Sequence, residues 1–240
     1  HGGPVGAETS SWWGPMMPLL VSSGYAVLLP NPRGSSGRGQ AFAEMVFGDM
    51  GGADALDDLA GVDAMVERGV ADPARLAVMG GSYGGFMSAW LPTQDQRFAA
   101  AVAISPVTDW YSQHFTSNIG HWDSDFLRER PDTPDGQYFR RSPVMYAKDT
   151  KTPTLLTAGL QDRCTPAGQA VELFQALVEN GVDAEVVLYP EEGHGVRKLP
   201  ATIDFATRIV GWLERYLKPN SGDRHGGPTV SSTGSSALAE

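Results

Sequence analysis

A serine enclosed by glycines is the residue of this chain with the clearest potential for chemistry. Ser82 stands in the stretch GGSYGG at 80–85, between the apolar run 76–79 and a segment with helical character. The pattern Gly-x-Ser-x-Gly at a strand–turn–helix junction is typical of a nucleophile elbow, in which a strained turn exposes the serine hydroxyl. The N-terminus of the following helix offers free N–H groups where an oxyanion would develop. The short pattern also occurs by chance, so residues elsewhere decide its meaning.

A serine nucleophile needs a general base, and His194 is the best placed histidine. It lies in the loop PEEGHG at 190–195, directly after the apolar run 184–189, with a glycine on each side. The other histidines lie in an irregular segment or in two HGGP sequences: His114, His121, His1 and His225. A lone loop histidine is more often a solvated surface residue, but a position at the end of a strand favours a base.

The carboxylate that would orient this base is Asp162, in the loop after the apolar run 153–158. In a doubly wound parallel sheet the loops at the carboxyl ends of the strands open at one edge. The chain order Ser82, Asp162, His194 is that of α/β-hydrolases. We therefore predict a catalytic triad in which Ser82 attacks, His194 transfers the proton and Asp162 holds the imidazole.

An oxyanion hole needs two N–H donors. The amide of Tyr83, directly after the nucleophile, is predicted to be one of them. A backbone amide of the HGGP loop at 1–4 is the natural second donor.

The elements that must position these residues follow from apolar periodicity and from glycine and proline breaks. Thr165 and Pro166 are interpreted as the N-cap and first residue of a helix that extends to Glu179. The other predicted helices are 12–22, 54–68 and 201–217, and the predicted strands are 25–29, 76–79, 98–104, 153–158 and 184–189. Strands that are apolar throughout and alternate with helices indicate an α/β fold with a mostly parallel, doubly wound sheet covered by helices on both faces.

Two segments interrupt this order. From 107 to 152 aromatic, charged and proline residues mix without a period, as in a long excursion that covers a site. Residues 219–240 are rich in serine and glycine and are predicted to be disordered, which leaves 1–218 as the folded domain. The second HGGP, at 225–228, lies in this tail and is interpreted as incidental.

Composition excludes several classes of partner. A net charge of −10 and a pI near 4.9 argue against a nucleic-acid surface, and no apolar run is long enough to span a membrane. The single cysteine, Cys164, excludes an intrachain disulfide and is interpreted as packing, so we expect a cytoplasmic protein. We expect neither a cofactor nor a metal, and the sequence contains no indication of the oligomeric state. Because the chain begins at His1, an upstream segment is expected.

The motif set resembles the prolyl oligopeptidase family of serine peptidases, and its acylaminoacyl-peptidase and dipeptidyl-peptidase-like branches in particular. The likeness extends in unbroken order over residues 1–217. The motifs that carry it are HGGP at 1–4, Asn31-x-Arg33-Gly34-Ser35-x-Gly37-x-Gly39, GGSYGG at 80–85, Gly159-x-x-Asp162-x-x-x-Pro166-x-x-Gln169 and Pro190-x-Glu192-Gly193-His194-Gly195.

The resemblance implies an α/β-hydrolase catalytic domain that acts on short peptides and follows a β-propeller. It implies the triad Ser82, Asp162 and His194. Some relatives have a tyrosine at the position of His1 that completes the oxyanion hole, so Gly3 N–H is the expected donor here. The family also places its substrate pocket in the excursion, where Trp110, Tyr111 and Phe115 are candidates, although these rings could equally pack the excursion onto the sheet.

The resemblance also implies a central strand before HGGP, without which residues 1–240 alone are expected to fold badly. A carboxylesterase of the same fold and a non-catalytic hydrolase-fold binding domain are the alternative functions. Arg33 with Asp54 or Asp57 is expected to form a structural ion pair.

Overall fold

Four parallel strands form the sheet in the part of the chain that the structure describes. The computed structural model describes residues 1–9 and 14–218, and the predicted disordered tail lies outside them. The strands pair in sequence order and are β1 (Leu76–Gly81), β2 (Phe98–Ile104), β3 (Thr154–Gly159) and β4 (Ala184–Tyr189). All four are parallel, as apolar strands that alternate with helices predict.

The register brings the carboxyl ends of the strands together. Gly81, the last residue of β1, pairs with Ile104, the last residue of β2. Gly159 and Tyr189, which end β3 and β4, pair in the same way. The loops that begin at 82, 105, 160 and 190 therefore open at one edge of the sheet, where the predicted site residues lie.

Helices cover both faces of the sheet. Leu156 of β3 packs against the helix at Gly168–Glu179 on one face, while its neighbour Leu155 packs against the helix at Ala201–Leu217 on the other, because successive side chains of a strand point in opposite directions. The helices are α1 (Met16–Ser22), α2 (Gln40–Ala43), α3 (Ala53–Glu67), α4 (Tyr83–Gln94), α5 (Trp110–Thr116), α6 (Trp122–Leu127), α7 (Gln137–Arg140), α8 (Gly168–Glu179) and α9 (Ala201–Leu217). This arrangement confirms the predicted α/β-hydrolase fold class.

The central strands are the most deeply buried. Ala100, Ala101, Val102 and Ala103 of β2 are fully buried, and small side chains there let the helices approach the sheet closely. In contrast, all six residues of β1, at one side of the sheet, are only half-buried. The described part of the chain therefore leaves an apolar strand at an edge.

The predicted strand at 25–29 is wrong, because these residues form no strand in the structure. Tyr25 and Val27 pack beside α1 and α9, and Leu28 lies near Gly61 of α3. The apolar run thus correctly indicates contact with the core. A strand also needs a hydrogen-bonded neighbour, and none of the four described strands pairs with this segment.

The start of α8 and the content of the excursion also differ from prediction. The helix expected from Thr165 begins at Gly168, and Thr165 does not cap it. The excursion 107–152 contains the short helices α5 to α7, of which α5 is capped by the Asp109 side chain through the amides of Tyr111 and Ser112. No helix among the described residues is long and apolar enough to cross a membrane.

Candidate active site

Ser82 lies in the sharp turn between β1 and α4. Its backbone has φ 61° and ψ −118°, a positive-φ conformation that non-glycine residues rarely adopt. The surrounding structure holds this strained turn, because the Ser82 amide donates to the Ile104 carbonyl at 2.9 Å and the Ser82 carbonyl accepts from the Phe86 amide at 2.9 Å. Strain of this kind, maintained by neighbouring contacts, is typical of a functional turn.

The glycines around Ser82 are required by close backbone approach. A methyl group at Gly80 would lie 2.6 Å from the Gly84 carbonyl oxygen, and one at Gly85 would lie 2.5 Å from the Ile104 carbonyl oxygen. One at Gly84 would lie 3.3 Å from the backbone of His1. These contacts show why strand, helix and the HGGP loop can meet at this serine.

Asp162 lies buried in the loop after β3, with 5% of its surface exposed. Its Oδ1 accepts hydrogen bonds from the amides of Cys164 at 2.8 Å and Thr165 at 3.0 Å. Its Oδ2 accepts from His194 Nδ1 at 2.8 Å. Burial opposes ionisation of this carboxyl, but the hydrogen bonds from His194 and Thr165 outweigh it, so the pKa of Asp162 lies below its usual value. The group is therefore a carboxylate at neutral pH.

His194 lies in the loop after β4, and its side chain is 36% exposed. Because a carboxylate only accepts hydrogen bonds, Nδ1 of His194 carries the proton and donates the hydrogen bond to Asp162. The other ring nitrogen, Nε2, is then unprotonated in the neutral imidazole. This tautomer is the one that a general base needs.

The loop that carries His194 is fixed from two sides. The buried Glu192 carboxylate accepts hydrogen bonds from the amides of Arg197 at 3.1 Å and Lys198 at 2.9 Å. On the other side, the carbonyl oxygens of Glu192 and Gly193 lie against the α-carbon of Gly159 so closely that no side chain fits there. Glu192 thus holds the loop rather than orienting the imidazole.

No hydrogen bond joins the Ser82 hydroxyl to His194 among the residues that the structure describes. Serine–histidine contacts of this kind are often long until a substrate is in place. The structure brings Asp162 and His194 into contact, and the elbow places Ser82 at the same edge of the sheet.

The HGGP loop lies directly against the elbow. A methyl group at Gly2 would be 3.6 Å from Cβ of Ser82, and Gly3 is the next residue of this loop. The His1 side chain ties the loop to the glycine-rich segment 33–39, through a 2.8 Å hydrogen bond between Nε2 and the fully buried Ser35 hydroxyl. Tyr83 is the first residue of α4, where the amide has no acceptor within the helix.

The aromatic candidates for the substrate pocket divide into two groups. Trp110 is fully buried and packs against Phe86 and Trp122, so the prediction that it lines a pocket is corrected: its ring belongs to the core. Tyr111 and Phe115 are 51% and 62% exposed on α5 and remain candidates.

A second histidine–aspartate pair lies in the excursion. His114 Nδ1 is 2.9 Å from Asp123 Oδ2, and the histidine ring also packs against Phe115 and Tyr138. This pair joins α5 to α6 and is not at the end of a strand. A contact between a histidine and a carboxylate therefore does not by itself identify a catalytic base. The position of the histidine relative to the elbow is the criterion that distinguishes the two pairs.

Several remaining sequence interpretations can be compared with the structure. Arg33 forms a bidentate ion pair with Asp57, through Nε and Nη2 at 2.7 Å each, whereas Asp54 bonds to Tyr83 instead. Cys164 is a half-buried free thiol whose pKa is raised by burial and by the charge of Asp162. The second HGGP, at 225–228, lies outside the described residues.

Thr165 is the residue that sequence reasoning missed. Its position before a helix predicted an N-cap, but in the structure its hydroxyl contacts Asp162 Oδ2 at 3.0 Å and His194 Nδ1 at 3.2 Å. The available signal was its spacing: an aspartate often accepts hydrogen bonds from the amides two and three residues later, which brings residue i+3 to the carboxylate.

The family of this chain follows from its similarity to known proteins. The model of the prolyl oligopeptidase family, Peptidase_S9, matches residues 13–220. The chain therefore belongs to the prolyl oligopeptidase family, as the motif set indicated.

Its relatives include peptidases from distant organisms. The chain is 39% identical over 222 residues to the uncharacterized peptidase YuxL of Bacillus subtilis. The aligned region covers 90% of this chain and 34% of YuxL. It is 33% identical over 227 residues to the acylamino-acid-releasing enzyme of Arabidopsis thaliana, and this aligned region covers 91% of the chain and 30% of that enzyme.

Among solved structures, an acylaminoacyl peptidase in complex with Z-Gly-Gly-Phe-chloromethyl ketone superimposes with a TM-score of 0.86 at 30% identity. The match covers 92% of this chain and 36% of that one. The chain thus spans about a third of the length of the relatives that it matches.

Proposed function

We propose that residues 1–218 form the catalytic domain of a serine peptidase that hydrolyses short peptides through Ser82, Asp162 and His194. The observation that carries the proposal is the 2.8 Å contact between Asp162 and His194 at the sheet edge where the strained elbow presents Ser82. Membership of the prolyl oligopeptidase family supports peptide hydrolysis, and the names of the relatives support an acylaminoacyl- or dipeptidyl-peptidase-like activity.

The acylation step uses the tautomer described above. The Ser82 hydroxyl oxygen attacks the carbonyl carbon of the substrate, and Nε2 of His194 takes the hydroxyl proton. The histidine then carries a positive charge, which the ionised Asp162 stabilises through Nδ1–H. The carbonyl oxygen becomes an oxyanion, for which the amides of Tyr83 and Gly3 are the proposed donors.

The intermediate collapses when His194 gives its proton to the leaving amine, which departs and leaves an acyl group on Ser82. Water enters and its oxygen attacks the acyl carbon while His194 takes one of its protons, and the same oxyanion donors serve the second intermediate. This intermediate collapses when the bond between the acyl carbon and the Ser82 oxygen breaks and His194 returns the proton to that oxygen. The products are a carboxylic acid and the restored serine, and each group has returned to its starting state.

Covalent labelling tests the assignment. A fluorophosphonate probe should label the purified protein, and Ser82→Ala should abolish both labelling and the hydrolysis of chromogenic peptide amides. The matched control is Ser88→Ala, because Ser88 lies further along helix α4 and its hydroxyl is bonded to the Gly84 carbonyl rather than to a proposed triad residue. Labelling that persists in Ser82→Ala would contradict the assignment.

A substrate panel tests the finer proposal. Aminoacyl, dipeptidyl and acyl-aminoacyl p-nitroanilides should be hydrolysed with a preference for one class, and matched p-nitrophenyl esters measure the esterase alternative. Cleavage of esters with no turnover of any amide would favour a carboxylesterase. Absence of labelling and of all turnover would favour a non-catalytic domain.

A further inference from the structure

The Thr165 hydroxyl occupies a central position beside the proposed triad. Its oxygen lies 3.0 Å from Asp162 Oδ2, 3.2 Å from His194 Nδ1 and 2.9 Å from the Ser105 carbonyl oxygen. Thr165 is 3% exposed, so water does not compete freely for these contacts. This one hydroxyl thus contacts both proposed catalytic partners of Ser82 and also the Ser105 carbonyl, directly after the end of β2.

The contact with Ser105 relates the histidine–aspartate pair to the nucleophile. Ser105 directly follows Ile104, the last residue of β2, whose carbonyl accepts the hydrogen bond from the Ser82 amide. The Ser105 amide in turn donates to the Thr157 carbonyl of β3 at 2.7 Å. Two consecutive carbonyls at the end of β2 therefore hold the elbow on one side and Thr165 on the other.

A role in capping does not explain this hydroxyl. Helix α8 begins at Gly168 with Ala167 as its N-cap, and no side chain caps it. The hydrogen-bond partners of Thr165 Oγ1 in the described part of the chain are Ser105, Asp162 and His194.

The Thr165 hydroxyl has one proton to donate and two neighbours that cannot donate in return, the Asp162 carboxylate and the Ser105 carbonyl. While His194 is neutral, donation to the negatively charged Asp162 Oδ2 is the stronger hydrogen bond. Nδ1 of His194 carries a proton in the neutral ring and in the imidazolium, so an Oγ1 lone pair is available to it in both states, and the hydroxyl proton can rotate to the Ser105 carbonyl when the imidazolium forms. The hydroxyl therefore serves both protonation states without moving a heavy atom.

We propose that Thr165 is a positioning residue of the hydrolytic site, whose hydroxyl aligns Asp162 and His194 with Ser82 and stabilises both charge states of the pair. This inference rests on the proposed function, since it assigns Thr165 to the same triad. It predicts that loss of the hydroxyl slows acylation of Ser82 and leaves substrate affinity unchanged.

Two variants separate the hydroxyl from the packing of this side chain. Thr165→Val removes the hydroxyl at constant shape and should lower kcat and the rate of fluorophosphonate labelling roughly 10- to 100-fold, as expected for one hydrogen bond to a charged group, with KM unchanged. Thr165→Ser keeps the hydroxyl and should restore both rates. Thr165→Ala serves as a second hydroxyl-free variant if the valine side chain disturbs folding.

Thr157→Val is the matched control. Thr157 lies in β3, is 1% exposed, and its Oγ1 has no hydrogen-bond partner among the described residues. The same substitution there should leave kcat and labelling at wild-type level. In an Asp162→Asn background Thr165→Val should cost little more, because the charge that the hydroxyl serves is gone.

The outcomes are distinct for the two proposals. If Ser82→Ala abolishes labelling but Thr165→Val reacts at wild-type rate, the inference about Thr165 is overturned and the triad stands. Equal losses in Thr165→Val and Thr165→Ser would also overturn it, since the effect would then come from packing. Labelling that survives Ser82→Ala would instead overturn the proposed function.

Discussion

The Tyr83 hydroxyl donates a 2.5 Å hydrogen bond to Oδ2 of Asp54, and both residues are buried. The same hydroxyl accepts a hydrogen bond from the Gly51 amide at 3.1 Å. Burial and the charge of Asp54 raise the pKa of Tyr83 well above its usual value, so the phenol stays protonated and donates. Through this side chain the residue after Ser82 is anchored to the N-terminus of α3.

Tyr83→Phe should destabilise the protein by about 1–3 kcal/mol, because it leaves a buried Asp54 oxygen and the Gly51 amide without their partner. Urea unfolding of the variant and wild type measures the difference. The control is Tyr216→Phe, whose hydroxyl bonds Asp183 near the surface and whose loss should cost at most about 0.5 kcal/mol. Equal effects at the two positions would show that the Asp54 contact has no special weight.

Asp58, one helical turn after Asp54, should make stability depend on pH. Its Oδ1 is buried without a hydrogen-bond partner among the described residues. Burial, with the charges of Asp54 and Asp57, raises its pKa from 3.8 to about 7. Between pH 4 and pH 7, roughly, Asp58 keeps its proton in the folded state but has lost it in the unfolded state. The contribution of Asp58 to stability therefore falls as pH rises from about 4 to 7.

Asp58→Asn should therefore leave stability unchanged near pH 4 and raise it above pH 7, with an upper limit of about 1.4 kcal/mol per pH unit across the window. Urea unfolding at a series of pH values measures this. Asp57→Asn is the control with the opposite sign, because the hydrogen bond from Arg33 lowers the Asp57 pKa and that carboxylate stabilises the fold at neutral pH. A stability difference at Asp58 that does not vary with pH would contradict the assignment.

The sheet and the elbow were predictable because their signals are local. Apolar runs bounded by glycine or proline mark all four strands, and α9 was predicted at its observed bounds, Ala201–Leu217. Loops after parallel strands meet at one edge by geometry, so Asp162 and His194 could be paired from their positions alone.

Other features depend on contacts that the local sequence does not encode. Residues 25–29 have strand composition, but a strand exists only where a neighbour supplies hydrogen bonds. Trp110 is as apolar in a pocket as in a core, and packing against Phe86 and Trp122 decides its place. The contacts of Thr165 join three loops that are distant in sequence, and a local capping pattern does not reveal them.

Gly159 should be essential for the position of His194. A methyl group at Gly159 would overlap the carbonyl oxygens of Glu192 and Gly193, so the loop must retreat from the end of β3. Since a displacement of about 1 Å in an active site can cost on the order of 100-fold in rate, Gly159→Ala should lower kcat by about that factor.

Steady-state kinetics with a peptide amide measure this loss, and circular dichroism checks that the fold persists. The control is Gly211→Ala, which lies within α9 with no atom within 4 Å of the added methyl group. It should keep full activity and gain about 0.5–1 kcal/mol in stability, because alanine favours the helix. Wild-type kcat in Gly159→Ala would show that the His194 loop tolerates displacement.

The contact between His1 and Ser35 should control the oxyanion hole. Residues 1–6 are joined to the glycine-rich segment by the 2.8 Å hydrogen bond between His1 Nε2 and the Ser35 hydroxyl and by the 2.9 Å hydrogen bond from the Ser36 amide to the Gly6 carbonyl. The Ser35 hydroxyl also lies 2.6 Å from the Pro32 carbonyl oxygen, to which it donates its own proton. The His1 ring also lies 2.9 Å, through Nδ1, from the Gly2 carbonyl oxygen of its own loop, so the Ser35 hydroxyl is the contact that joins the ring to the glycine-rich segment.

Ser35→Ala should release the His1 ring and loosen the loop that presents the Gly3 amide. Complete loss of one oxyanion donor costs about 2.7–4 kcal/mol of barrier, so kcat for a peptide amide should fall by up to roughly 100- to 1,000-fold while KM changes little. The adjacent Ser36→Ala is the matched control, because its hydroxyl is exposed and lies 3.4 Å from the Gly6 carbonyl, whereas its backbone tie survives the substitution. It should retain near wild-type kcat. If Ser35→Ala and Ser36→Ala are equally active, His1 does not position the loop, and the second oxyanion donor must be held in another way.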